Sequence, residues 1–127
     1  MSDLKKQLRP SIPSIVQKSD ISLEEKFQNE VLRPIIKLQN DLVLICFEHY
    51  LKRKKVELKK FTDDQITAII HKLFRSDTQL KSNLRSLIIG LFTLEEYREY
   101  LTISAQLNRR INSMIQERVG SFYTQQD

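Results

Sequence analysis

The chain has 127 residues, enough for one domain that buries roughly two thirds of its unfolded surface. With 40% hydrophobic and 29% charged residues, two Gly and three Pro, it has a globular composition with few breakers, which argues against a disordered polymer and for long regular elements. The net charge of +5 equals the excess of one nine-residue segment, KRKKVELKK at 52–60, with six cations and one carboxylate. The rest of the chain is close to neutral.

Residues 1–20, with Pro10 and Pro13, read as an extended N-terminal arm. The opening MSDLKKQLRP has no apolar run behind it, so no secretory signal or anchor is expected. The longest apolar run, LVLICF, falls far short of the ~20 residues of a membrane helix. A cytoplasmic protein with no membrane contact follows as the expectation. Cys46 lies inside that run, where a buried, inert thiol is expected.

A helical bundle domain is expected over 21–120. Ser or Thr followed three residues later by Glu or Gln recurs where helical periodicity begins: Ser22 with Glu25, Thr62 with Gln65, Ser76 with Gln79, and Thr93 with Glu96. In a capping box, each side chain satisfies a backbone amide that the first helical turn leaves without a partner. Four boxes predict about four helices. Before two of them stand Phe61 and Phe92, placed to staple onto Ile66 and Tyr97.

The first helix is predicted from Leu23 to about Lys54. Phe27, Val31, Ile35, Leu38, Leu42, Ile45 and His49 form one stripe, and a kink or break is expected at Pro34. Beyond the proline a second patch, Ile36, Val43, Leu44, Phe47 and Leu51, falls on nearly the opposite side and is the predicted partner interface. The second helix, Asp63 to Arg75, buries Ile66, Ile69, Ile70, Leu73 and Phe74. The third, Asp77 to Ile89, buries Leu80, Leu84, Leu87, Ile88 and Leu91 and ends at a left-handed Gly90. The fourth follows Thr93 and runs to Val119, with Tyr97, Tyr100, Leu101, Leu107, Ile111, Ile115 and Val119 as its inward stripe and Gly120 as its stop. Residues 121–127 read as a flexible tail. No strand alternation of useful length occurs, so the predicted fold is all-α, a single bundle.

Sites of chemistry are sparse. His49 and His71 are the two histidines, no Glu-x-x-His or His-Glu-x-x-His pair exists, and one Cys cannot build a zinc site, so no metal or other cofactor is expected. His49, on the apolar stripe, reads as a core histidine. No nucleophile elbow or phosphate-cradling glycine loop is present, and Asp63, Asp64, Glu95 and Glu96 occupy first turns, where they complement the helix dipole. No catalytic residue is assigned. Lys52, Arg53, Lys54, Lys55, Lys59 and Lys60 form the candidate anion-binding segment, for nucleic acid or another polyanion. As a helix-turn-helix the second and third helices are poor, because Lys81 and Arg85 are the only cations on the would-be reading helix.

The segments FQNEVLRPIIKLQNDLVLICFEHYL, IIGLFTLEEY and LNRRINSMIQER resemble a family of small uncharacterised bacterial proteins, some of which carry the automatic label glyoxalase. The resemblance spans most of residues 20–118 and implies no catalytic residue. Glyoxalases of the common metal-dependent type are built from paired βαβββ units with His and Glu ligands, features this chain does not present, and that activity is not expected. The leading expectation is a non-enzymatic helical interaction module that pairs with a protein partner or with its own copy as a homodimer. Polyanion binding through 52–60 and an unrecognised enzyme are the alternatives.

Overall fold

The computed structural model describes residues 2–10 and 22–124, and every regular element among them is helical. The elements are α1 (Ser2–Gln7), α2 (Leu23–Phe27), a π turn (Gln28–Leu32), α3 (Arg33–Leu38), α4 (Asn40–Lys54), a 3-10 turn (Leu58–Lys60), α5 (Asp63–Ser76), α6 (Thr78–Ile89), α7 (Leu94–Thr102) and α8 (Ser104–Thr124). The all-α class is as expected, but the chain is divided into more helices than the predicted four. Two of the predicted helices are subdivided, and the arm carries a short helix of its own.

The first subdivision has its cause at Pro34. Proline has no N–H and its ring collides with the carbonyl four residues back. The path does not stop there. It widens into the π turn, in which the Arg33 amide donates to Gln28 O, an i→i+5 bond. That turn takes up one extra residue, so the inward stripe slips by one position. Val31 is joined by Leu32 and Ile35 by Ile36, and beyond Gln39 the buried residues are Val43, Phe47, Tyr50 and Leu51. Gln39 itself departs from helical geometry, at φ −92° and ψ 8°, and its Nε2 donates to Leu87 O at 3.0 Å, tying the joint to α6.

The remaining helix starts are local chemistry. Thr62 and Thr93 both form complete capping boxes, with Gln65 and Glu96 reaching back to the cap amides at 3.0 and 2.9 Å. Ser22 accepts from the Glu25 amide. The cap of α6 is Asp77, which accepts from Leu80, whereas the expected Ser76 closes α5 and donates to Lys72 O. Phe92 packs edge-on against Phe27 at 5.4 Å and Tyr100 at 5.6 Å, rather than stapling onto Tyr97, which is exposed. The left-handed residue among these turns is Lys55, at φ 58°, where it ends α4; Gly90 is right-handed at φ −61°.

α8 is the axis of the fold. Leu107, Ile111, Ile115 and Val119 are buried along it at helical spacing, against α4, α5, α6, α7 and the π turn. Gly120 does not end the helix. Continuing to Thr124 brings the Tyr123 ring to 5.8 Å from that of Phe47, so Tyr123 packs against the core, while Phe122 is exposed. The described part of the arm is likewise held down. Lys5 Nζ donates to Phe92 O at 3.0 Å, and Arg9 donates to Leu91 O at 3.0 Å and to both oxygens of Glu96 at 2.8 and 2.6 Å. The rest of the predicted arm, and the end of the predicted tail, lie outside the described residues.

Candidate functional site

α4 carries two candidate surfaces, and its buried and exposed faces are exchanged relative to the expectation from sequence. Of the predicted interface, Ile36, Val43, Phe47 and Leu51 are buried in the chain's own core and Leu44 is half-buried against it. Phe47 is fully enclosed, its ring within 6 Å of those of Tyr50, Phe74 and Tyr123. The four buried residues, Ile36, Val43, Phe47 and Leu51, cannot meet a partner without opening the core. The physical reason is the slip at the π turn, which brings them inward. Leu38, Leu42 and Ile45, predicted inward, are left outside at 38%, 43% and 63% exposure, and His49 at the end of the same stripe is exposed rather than a core histidine.

The rim of this outer face is charged in a polarised way. Asp41 stands in the first turn of α4 and Lys52, Arg53 and Lys54 in the last, with Glu48 between. Asp41, Ile45, Glu48 and Lys52 share one line at helical spacing. Acid at the start and base at the end also suit the dipole of the helix.

All six cations of the predicted anion-binding segment, Lys52, Arg53, Lys54, Lys55, Lys59 and Lys60, are exposed. Lys60 pairs with Glu57 at 2.8 Å on the open surface, and Lys54 Nζ lies 5.9 Å from the centre of the Tyr50 ring. Exposed Phe61 directly follows Lys60. Beneath the segment, Tyr50 donates its hydroxyl to Asp77 Oδ2 at 2.6 Å. Burial, then that bond and the Asp77 charge, push the Tyr50 phenol up to about 12. The same bond, with the Leu80 amide, holds the Asp77 carboxyl below its ordinary range. The basic end of α4 is thereby pinned to the α5–α6 joint.

Other candidates are more modest. Cys46 is half-buried against the core. His71 Nδ1 lies 3.1 Å from Gln116 Nε2 beside a groove between α5 and α8. Among the described residues no three His, Cys, Asp or Glu side chains gather as a metal would require, and no helix is long and apolar enough to cross a membrane. Sequence reasoning missed the Arg9–Glu96 clasp, whose signal was a Glu rather than a Gln at the third position of the Thr93 capping box. It also missed a cleft of about 350 Å³ between the π turn–α3 segment and α8, to which Arg33, Lys37 and Arg118 all contribute.

No protein-family model matches the chain, and neither a curated protein nor a solved structure matches it. The functional reading rests on the chain's own surfaces.

Proposed function

We propose that this chain is a non-enzymatic helical assembly module that pairs with a second copy of itself through the outer face of α3 and α4. The observation that carries the reading is the run Leu38, Leu42 and Ile45, three large aliphatic side chains, all more than a third exposed, on one face of an otherwise well-filled bundle. A second copy is the favoured occupant because the rim is self-complementary. Set antiparallel, α4 puts the Asp41 end of each chain beside the Lys52 end of the other and opposes the two helix dipoles, in an isologous two-fold contact. Light scattering on a gel-filtered sample near ~100 µM, well above a micromolar Kd, tests this. The expected result is twice the chain mass for the wild type and the single chain mass for Ile45→Lys. A monomeric wild type would overturn it.

A second reading, polyanion binding through residues 52–60, is favoured by the exposure of all six cations on one helix end and the turn after it. Displacing counterions from RNA or heparin with such a patch gives affinity that falls steeply with salt. Salt-dependent retention on heparin that is lost when Lys52, Arg53, Lys54 and Lys55 are all changed to Gln supports it; retention unchanged by that substitution contradicts it.

A further inference from the structure

The π turn does more than accommodate Pro34. In a continuous α-helix, Gln28 and Arg33 would point roughly 140° apart. The i→i+5 bond from the Arg33 amide to Gln28 O stacks residues five apart, so the two side chains line the same cleft. Lys37, one turn beyond Arg33, continues that wall, and Arg118 faces it from α8. π turns inserted in α-helices are frequent at functional sites, because the cost of the wider turn is retained where it places side chains usefully.

The chemistry of the cleft is that of an anion site. Arg33, Lys37 and Arg118 supply three positive charges against one carboxylate, Glu117. Among the described residues the ion pairs join Arg9 to Glu96, Lys60 to Glu57 and Arg110 to Glu24, so the three cations of the cleft lie outside them. Gln28 is oriented from behind: Arg110 donates to its Oε1, which leaves the Gln28 amide nitrogen as a donor. The same Arg110 is fixed by Glu24 Oε2 at 2.5 Å. Two guanidiniums, an ammonium and an amide N–H are donors suited to the several oxygens of a phosphate group. Buried Ile36 and half-buried Met114 form the apolar part of the lining. A volume of about 350 Å³ lies at the small end of ligand pockets, enough for a phosphate and a compact apolar body.

We propose that the cleft between the π turn–α3 segment and α8 binds a small organic phosphate monoester, its phosphate held by Arg33, Lys37 and Arg118 and its apolar part against Ile36 and Met114. The site is separate from the outer face of α4 and does not depend on self-association. The probe is phenyl phosphate, titrated calorimetrically into the full chain and into Arg33→Gln, Arg118→Gln and, as a control for diffuse charge, Lys26→Gln/Lys72→Gln, two exposed lysines away from the cleft. Circular dichroism on each variant verifies the fold; both arginines are exposed, so it is expected to persist. The expected result is saturable one-to-one binding, weakened about tenfold or more in each arginine variant and unchanged in the lysine control, as the loss of one charge-assisted contact predicts. Absence of saturable binding up to about 5 mM, a range that captures even millimolar sites, would overturn the proposal. So would an affinity that the two arginine substitutions leave unchanged, or that the lysine control lowers equally.

Discussion

Glu96 accepts the Thr93 amide through Oε1 and the Arg9 guanidinium through both oxygens, with 7% of the Arg9 side chain and 12% of its own exposed. Burial pushes its carboxyl up, but the Arg9 bonds, the Thr93 amide and the nearby cations outweigh that and hold it below the ordinary value. Its counterpart Gln65 builds the same box in α5 without a charge. Glu96→Gln therefore keeps the cap and removes the ion pair. The substitution is expected to cost about 1–3 kcal/mol, since Arg9 is left poorly compensated. A carboxyl whose folded pKa is depressed contributes stability above its unfolded value, near 4.3, and loses it as pH falls through the folded one. Urea midpoints are thus expected to fall on acidification below about pH 4.5 through Glu96 and Asp77 together, with Glu96→Gln flattening part of that decline. At the alkaline end the sign reverses. Tyr50 is raised, so its contribution is complete below about pH 10 and is lost as pH climbs toward about 12, a loss that Tyr50→Phe removes.

Within α4 one face is buried in the core and the other is exposed, and the contrast is measurable by chemical denaturation. Phe47→Ala opens a cavity among three aromatic rings and is expected to cost about 3–5 kcal/mol. Ile45→Lys touches only the outer face and is expected to stay within about 0.5 kcal/mol in dilute solution. Had Phe47 been at an interface and Ile45 in the core, these costs would be reversed. The sequence pointed to that reversed arrangement because its stripe was counted at an unbroken 3.6 residues per turn. Pro34 was legible as a disturbance, but whether a proline kinks, ends or widens a helix depends on the packing around it, and the π turn moves every later position by one. Caps were legible wherever they are local: Thr62 and Thr93 need only their own third neighbours. Ser76 was one residue early because Asp77 offers a better acceptor, already oriented by Tyr50 from α4, a partner that lies 27 residues away.

For the whole molecule, periodicity alone was enough for the helical class, since the inward residues of α5, α6 and α8 repeat at three and four with few interruptions. The role of α8 as the common axis was not legible, nor was the break at Ile103 that separates it from α7. The sequence from Thr93 to Val119 carries a nearly continuous stripe, and the helical path departs from it only at Ile103, where φ is −136° and ψ 39°. The candidate surfaces divide in the same manner. Six cations within nine residues are visible in a one-dimensional reading, whereas a cleft formed by Arg33 and Arg118 requires the pairing of elements far apart in the chain. The proposed self-association would couple these scales, because folding completed by a second copy depends on how much of that copy is present. Thermal unfolding followed from about 5 to 500 µM tests this most directly. With linkage of about 2.7 kcal/mol for a hundredfold rise in concentration, the wild-type Tm is expected to climb by several degrees while that of Ile45→Lys stays constant. A wild-type Tm that does not move with concentration would contradict the pairing of α4 with its copy.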